Sequence, residues 1–164
     1  MIEFNHQVLK CNDNIMKKIY LAIPYTGTEE ESFKQSSIIG AKLIDEGHIV
    51  FSPISMSHPM AIYGDKPSHF EYWKQLDEEF IRWADEVWLI WHENIGTSKG
   101  VKSEIEYARK LNKPIYLYYP VYHYIQKLDF NKDWIRWDNE IRKYRTKSKI
   151  FNNYSELEKY IEYE

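Results

Sequence analysis

Cysteine is nearly absent from the chain, since the 164 residues contain only Cys11. No disulfide can form within the chain, which favours a reducing, cytoplasmic setting. No apolar run approaches the roughly 20 residues that cross a bilayer, and the first six residues lack the basic start and apolar stretch of a signal peptide. The net charge of -3 is unlike the basic charge of most nucleic-acid binders. We therefore expect a cytoplasmic protein that binds neither a membrane nor a nucleic acid polymer.

Aromatic residues, in contrast, are abundant: they make up 16% of the chain, with 14 Tyr and 6 Trp. One interpretation is a tyrosine-rich core and subunit interface, and the other is an aromatic pocket for a flat ligand such as a nucleobase. The hydrophobic share of 43% and the charged share of 29% are typical of one globular domain of this length.

Short apolar runs alternate with segments of helical periodicity. Residues 1–15 are polar and irregular, and we expect them to form an extension before a domain over 16–164. Residues 54–68 contain Pro, Gly, Ser and His without a regular period and predict a long loop. The predicted strands are 19–23, 48–51, 86–91, 115–119 and a short one at 150–151; the predicted helices are 29–46, 70–83, 100–111, one or two within 121–148, and 156–162.

This alternation predicts the α/β class, as a single three-layer doubly wound domain, flavodoxin- or Rossmann-like, with a mainly parallel sheet of about five strands. Such sheets bind ligands beyond the carboxyl ends of their strands. The segments after three strands should therefore meet in one crevice: 24–26, the loop around His58, and 91–100. In the first helix, the periodicity places on the buried side Phe33, Ile38, Ala41, Leu43 and Ile44.

Residues 96–104, GTSKGVKSE, follow a predicted strand and begin a predicted helix. A helix N-terminus presents free N–H groups to an anion, and Ser98 adds a hydroxyl that can donate to a phosphate oxygen. Glu104 would lie about one turn into the helix, facing the same crevice. The alternative is structural: Ser98 is an N-cap and Glu104 a first-turn acid that interacts with the helix dipole. The glycine spacing is neither that of a P-loop nor that of a dinucleotide-binding fingerprint.

Asp77 shares a helix face with Trp73 and Phe80. Burial beside these rings would raise the pKa of the carboxyl, as a general acid at neutral pH requires. The alternative is a solvated acidic surface. Tyr20, the second residue of its strand, would by itself be a core residue.

The sequence indicates neither a metal site nor a cofactor site. The pair His92-Glu93 lacks the second histidine of a zinc-binding helix, and neither His58 nor His69 has partners at ligand spacing. No serine lies in a nucleophile elbow. The basic segment 142–149 is interpreted as a solvated helix end.

The chain resembles the nucleoside 2-deoxyribosyltransferase superfamily over roughly residues 19–118. That superfamily includes the 2'-deoxynucleoside 5'-monophosphate N-glycosidases, and small phage-associated proteins of unassigned function are also similar. The resemblance is carried by IYLAIPY (19–25), GHIVFSP (47–53), LD (76–77), AD (84–85), SKGVKSEI (98–105), YA (107–108) and KPI (113–115).

The resemblance implies roles for three residues. Glu104 matches the glutamate that attacks the anomeric carbon, Asp77 the acid that helps to protonate the departing base, and Tyr20 the tyrosine that holds the glutamate. Cleavage of an N-glycosidic bond needs such a carboxylate and such a proton donor because its transition state is oxocarbenium-like.

The residue type at position 98 indicates whether the substrate carries a 5'-phosphate. In the family, transferases that act on free nucleosides carry aspartate there and the monophosphate hydrolases carry serine. Ser98 therefore favours a 5'-phosphate, held with Gly100 and Val101. Pro24 and Thr26 stand where the hydrolases have a phosphate-binding serine and arginine, and the Pro24-Tyr25 pair is more transferase-like.

The remaining substrate contacts are expected from Ile23, Tyr25, His58 and Trp73, with His58 and Trp73 shaping the base pocket. The resemblance also implies a homodimer or larger homo-oligomer with shared sites. Our leading hypothesis is a retaining N-glycosidase of a 2'-deoxynucleoside 5'-monophosphate, with a modified base left open. The alternatives are a transferase that exchanges bases between deoxynucleosides, a non-catalytic nucleotide-binding protein, and, more weakly, a ribonucleotide phosphoribohydrolase.

Overall fold

A computed structural model describes residues 15–120 and 124–128, which belong to one unit. Several sequence predictions lie outside the described residues: Cys11 and the rest of the extension up to residue 14, most of the helical segment 121–148 with its basic end, the strand at 150–151 and the helix at 156–162.

Strands and helices alternate up to the fourth strand. In chain order they are β1 Lys18–Ala22, α1 Glu29–Asp45, β2 Ile49–Phe51, α2 Pro53–Tyr63, α3 Phe70–Trp83, β3 Glu86–Ile90, α4 Lys99–Lys110, β4 Ile115–Tyr119 and β5 Tyr124–Lys127. None of the helices within the described residues is both long and apolar enough to cross a membrane.

The sheet has the order β2-β1-β3-β4-β5. The first four strands are mutually parallel, which confirms the predicted α/β, doubly wound fold. The parallel part has four strands, and the fifth member, β5, runs antiparallel to β4. One or two helices were predicted within 121–148, but residues 124–127 of that segment form strand β5. Pairing with β4 and packing of Ile125 against the core outweigh the local periodicity there.

The strand order reverses direction between β1 and β3. The chain moves from β1 to β2 on one side and then returns to place β3 on the other side of β1. Ligands bind parallel sheets at such a switch point, outside the carboxyl ends of the two strands. The segments that follow β1 and β3 therefore frame the expected crevice.

Alternation along β1 divides its side chains between two faces of the sheet. Ile19 and Leu21 pack with Ile39 and Leu43 of α1 in one core cluster. Tyr20 points to the opposite face and is fully buried. The sheet therefore separates the α1 core from the face on which Tyr20 meets α4.

The predicted buried face of α1 was partly wrong. Ile38 and Ile44 are more than half exposed and Ala41 is also exposed, whereas the small residues Ser32, Ser36 and Gly40 are buried. Gly40 faces the sheet, because a Cβ there would be in van der Waals contact with Leu21 and Val50 at 3.8 Å. Apolar periodicity misses this face because serine hydroxyls can be buried when they hydrogen-bond, as Ser32 does to the Pro24 carbonyl at 2.6 Å.

The loop predicted over 54–68 was wrong, because helix α2 occupies most of it. Ser52 caps this helix by accepting a hydrogen bond from the Ser55 N–H, and Pro53 takes the first helical position, where no N–H is needed. Pro59 lies inside the helix. Proline and serine in the segment concealed the helix from a periodicity analysis.

Candidate active site

A pocket of about 520 Å³ opens at the carboxyl ends of the strands. This volume lies in the range of small-molecule sites. Its walls come from residues 23–26 after β1, from α2 and α3, and from residues 94–104 after β3. The expected crevice is therefore confirmed for 24–26 and for residues within 94–100, whereas the segment around His58 is a helix that contributes Ile54 and Ser57.

Tyr20 and Glu104 meet beneath this pocket. The Tyr20 hydroxyl donates to Oε1 of Glu104 at 2.6 Å. Tyr20 is fully buried in the sheet, whereas the Glu104 side chain lines the pocket. Burial and the nearby charges of Glu104 and Asp77 raise the pKa of Tyr20 well above its usual value, so the phenol keeps its proton and remains a donor.

Glu104 occupies a position on α4 that an apolar residue would normally fill. Its neighbours one turn away on the same stripe, Val101 and Ala108, are buried, as is Ile105. Burial and the charge of Asp77 raise the pKa of Glu104 to about 8, while the hydrogen bond from Tyr20 acts in the opposite direction. The carboxyl is thus desolvated but has a donor that favours its ionised form.

Asp77 is the second carboxyl of the pocket. It lies on α3 four residues before Ile81, the fully buried residue of that helix. Burial, followed by the charge of Glu78, raises its pKa to about 7. Within the described residues, its buried Oδ1 atom has no hydrogen-bond partner. A protonated Asp77 therefore has a polar atom to present to a ligand, and the alternative of a fully solvated acid is wrong.

Ser98 caps α4. Its Oγ accepts a hydrogen bond from the Val101 N–H at 3.3 Å, which confirms the structural role considered for it. The same hydroxyl lines the pocket and retains its own proton for donation. Gly100 also lines the pocket, and a Cβ there would lie 3.4 Å from Phe70. Helices α3 and α4 therefore meet beside Gly100, at the edge of the pocket.

The other wall residues come from the segment after β1 and from α3. Ile23, Pro24, Tyr25 and Trp73, which were expected to contact substrate, all line the pocket. The Trp73 indole is held by donation from Nε1 to the Pro67 carbonyl at 2.8 Å. An anchored ring of this kind can form one wall for a planar group.

His58 does not line the pocket, contrary to the prediction. It lies on α2, is 6% exposed, and stands behind Tyr25, whose hydroxyl is 2.7 Å from its Nδ1. The prediction failed because it placed His58 on an open loop. Its contact with the pocket is indirect and passes through Tyr25.

Sequence analysis missed two cations at the pocket, Lys74 and Lys99. Lys99 directly follows Ser98, and that adjacency was the available signal. Lys74 lies 3.8 Å from Glu78, one helical turn further along α3. Within residues 15–120 and 124–128, no three potential ligands from His, Cys, Asp and Glu are grouped to hold a metal ion.

The fold and this pocket define a doubly wound α/β protein with two carboxyls at the switch point of its sheet. Residues 17–120 match the family described as a domain of unknown function, DUF1937, and the chain belongs to that family. A solved structure from a study of the 2-deoxyribosyltransferase of the psychrotolerant bacterium Bacillus psychrosaccharolyticus is 31% identical. The match covers 74% of this chain and 90% of that chain, with a TM-score of 0.50.

Together these matches confirm the predicted superfamily: the chain belongs to the nucleoside 2-deoxyribosyltransferase group. Comparison with curated protein sequences gives no match.

Proposed function

We propose that this protein is a retaining N-glycosidase that hydrolyses the base–sugar bond of a 2'-deoxynucleoside 5'-monophosphate. The observation that best supports the proposal is the 2.6 Å hydrogen bond from Tyr20 to Glu104, in a pocket that Asp77 also lines. A carboxylate held by a donor and a second carboxyl with a raised pKa are the two groups that retaining cleavage uses.

In the first step, a Glu104 oxygen forms a bond to C1' of the deoxyribose as the bond from C1' to the base nitrogen breaks. The electron pair of that bond goes to the base, which takes the proton of Asp77. The hydrogen bond from Tyr20 holds Glu104 in one orientation and keeps its second oxygen from rotating away. Glu104 is then an ester of the sugar.

In the second step, a water molecule attacks C1' and the ester bond to Glu104 breaks. Asp77, now ionised, accepts a proton from that water. The sugar hydroxyl is thereby formed on the face that the base occupied, and both carboxyls return to their starting protonation states.

The 5'-phosphate is assigned to the N-terminus of α4. The Ser98 hydroxyl can donate to a phosphate oxygen while its Oγ still accepts from Val101. The N–H groups of the first helical turn and the Lys99 ammonium add favourable electrostatics for an anion. An aspartate at position 98 would instead repel the phosphate.

A base-exchanging deoxyribosyltransferase is the second candidate. The similar solved structure comes from the study of a 2-deoxyribosyltransferase, and the Pro24-Tyr25 pair is closer to the transferases. Both candidates share the first step, and they differ in whether water or a second base attacks C1'.

We also propose that the chain forms a homodimer or larger homo-oligomer. Large apolar side chains are exposed on adjoining parts of α2 and α3, including Met60, Tyr63 and Tyr72. Burial of such side chains is a common driving force for association. Light scattering should give a mass of at least two chains, and a monomer at micromolar concentration would contradict this.

Chromatography of free bases tests the proposed reaction. The protein is incubated with the common deoxynucleosides, their 5'-monophosphates and the matching ribonucleotides, with and without a second free base. The proposal expects base release from deoxynucleoside monophosphates and no new nucleotide when the second base is added. Formation of a new nucleoside or nucleotide would establish the transferase instead. Stoichiometric binding without base release would favour the binding protein.

A further inference from the structure

The hydroxyl of Tyr25 forms a hydrogen bond with the buried imidazole of His58. Tyr25 lines the pocket, and its hydroxyl lies 2.7 Å from Nδ1 of His58. The other ring nitrogen of His58, Nε2, lies 3.3 Å from Oε2 of Glu30. Phe33 stacks on the imidazole, with ring centroids 4.5 Å apart, and restricts its rotation. The three side chains form a Glu30–His58–Tyr25 chain that runs from an exposed carboxylate to the pocket wall.

The Glu30 carboxylate at one end determines which atom donates and which accepts at each hydrogen bond of this chain. An ionised Glu30 can only accept, so the proton of a neutral imidazole belongs on Nε2. In this neutral tautomer Nδ1 is an acceptor, and the Tyr25 hydroxyl donates to it. Burial and the charges of Glu29 and Glu30 raise the pKa of Tyr25, which is consistent with a phenol that keeps this proton. The phenol oxygen retains its lone pairs but has no second proton to give.

The backbone of Tyr25 is fixed as well. Its carbonyl accepts from the Thr28 N–H at 3.1 Å, which closes a turn. Gly27 stands at the third position of that turn with φ +86°, a conformation that suits glycine. Main chain and side chain therefore hold the Tyr25 oxygen in one place, unlike a mobile surface tyrosine.

We propose that the Glu30–His58–Tyr25 chain makes the Tyr25 hydroxyl a fixed hydrogen-bond acceptor, which selects substrates that carry a hydrogen-bond donor at that place. In a nucleotide, this donor is an exocyclic amino group of the base or the 3'-hydroxyl of the sugar. Glu30 and His58 are positioning residues, and Tyr25 is the one that contacts the substrate. The choice of nucleotide ligands rests on the proposed function, whereas the direction of the chain does not.

Binding is measured by calorimetry with Glu104→Gln as the background, so that no base is released during the titration. The probes are 2'-deoxyadenosine 5'-monophosphate, purine 2'-deoxyriboside 5'-monophosphate, which lacks the amino group, and 2',3'-dideoxyadenosine 5'-monophosphate, which lacks the 3'-hydroxyl. The proposal expects the first to bind about tenfold more tightly than one of the other two, because a site built to hydrogen-bond a donor rejects its analogue. Weaker binding of the purine analogue identifies the amino group as the donor, and weaker binding of the dideoxy analogue identifies the 3'-hydroxyl.

Tyr25→Phe should reduce that preference to less than about twofold, since the ring stays and only the acceptor is lost. Glu30→Ala should weaken the preference, whereas Glu31→Ala, at the next exposed position of the same helical turn, should leave it unchanged. Tyr116→Phe, on β4 and outside the pocket lining, is the control for the hydroxyl deletion. A preference that survives Tyr25→Phe, no preference for either pair, or no binding of the three nucleotides would overturn the acceptor role.

The direction of the chain has a test that needs no ligand. Nitrogen-15 NMR of the histidine rings, with His58 assigned by comparison with His58→Gln, should show the Nε2–H tautomer. An Nδ1–H tautomer, or an imidazolium protonated at both nitrogens, would contradict the chain. Base release by the wild-type protein is scored separately. Base release without the preference therefore refutes this inference alone, and the preference without base release refutes the proposed function alone.

Discussion

Tyr20 on β1 and Glu104 on α4 are 84 residues apart in the sequence and are joined by a 2.6 Å hydrogen bond. The bond crosses from the buried sheet to the pocket wall, so the sheet itself positions the carboxyl. Burial raises the pKa of Glu104. The hydrogen bond from Tyr20 stabilises the ionised carboxylate and so offsets part of that rise.

Tyr20→Phe should slow base release by about tenfold at neutral pH. The phenol ring remains in the core, so folding should be little affected. Without the donor, the pKa of Glu104 rises and the pH–rate profile of the pair should move to higher pH. A kcat/KM profile of the variant beside the wild type measures both effects. A uniform loss of rate with an unmoved profile would show that Tyr20 acts only on packing.

The pH dependence of base release should be bell-shaped around neutral pH. Asp77 and Glu104 have pKa values raised to about 7 and about 8 and interact through their charges, so they titrate as a pair. Activity requires one proton on the pair, in the arrangement with Glu104 ionised and Asp77 protonated. This arrangement is the less populated of the two, because the pKa of Glu104 is the higher. Rates should fall at lower pH, where both carboxyls are protonated, and at higher pH, where neither is.

Asp77→Asn should lower base release about 10²–10⁴-fold, the usual range for loss of a general acid. It should also remove the basic limb, because an amide has no proton to lose in this range. The acidic limb should stay in place or move slightly to higher pH, since Asp77 is already uncharged in the active state in which Glu104 is ionised. Asp45→Asn, an exposed position at the end of α1, is the matched control. Unchanged rates in Asp77→Asn would remove it from the mechanism.

Glu104→Gln should make the folded protein more stable at high pH. The pKa of Glu104 is raised from 4.5 in the folded protein, so the folded state holds a proton that the unfolded state has released. The stability associated with this proton is complete below pH 4.5 and is lost as the pH rises through the folded value, about 8. Thermal unfolding should therefore show a melting temperature a few degrees above wild type at pH 8.5 and a smaller gain at pH 5. A gain that is equal at both pH values would contradict this burial of charge.

Ser98→Asp should change the preferred substrate without unfolding α4, because aspartate is as good an N-cap as serine. The new carboxylate would repel a 5'-phosphate, and monophosphate turnover should fall by about 10²-fold. Turnover of free deoxynucleosides should be unchanged or higher. Ser98→Asn, which keeps a capping oxygen without charge, separates the electrostatic effect from loss of the hydroxyl. Equal losses for both substrates would place the phosphate elsewhere.

Helix α3 shows what the sequence was able to predict. Its bounds, Phe70–Trp83, agree with the periodicity, because its Trp73, Asp77 and Ile81 recur at helical spacing. The parallel strands were predicted for a similar reason, since buried strands are short continuous apolar runs. Helix α2 was missed because a cap from Ser52 and Pro53, with tertiary packing, overrides a sequence rich in turn-forming residues.

The features of the candidate site were also predicted only in part. Spacing alone placed Ser98 and Glu104 near one crevice, but it left a structural interpretation open for each. The pairing of Tyr20 with Glu104 came from the family resemblance, because no local pattern connects residues so far apart. The contact between Tyr25 and His58 was not predicted at all: it depends on the side-chain packing of α1 and α2, which periodicity does not encode.

The most direct test of the account is the rate of base release by Glu104→Gln. It is compared with wild type and with Glu106→Gln, an exposed glutamate on the same helix, on the nucleotide that the wild type hydrolyses. The account predicts a loss of at least about 10³-fold in Glu104→Gln, because the amide cannot serve as the nucleophile, and wild-type rates in Glu106→Gln. Turnover by Glu104→Gln within a few-fold of wild type would contradict the central claim that Glu104 forms the bond to the sugar.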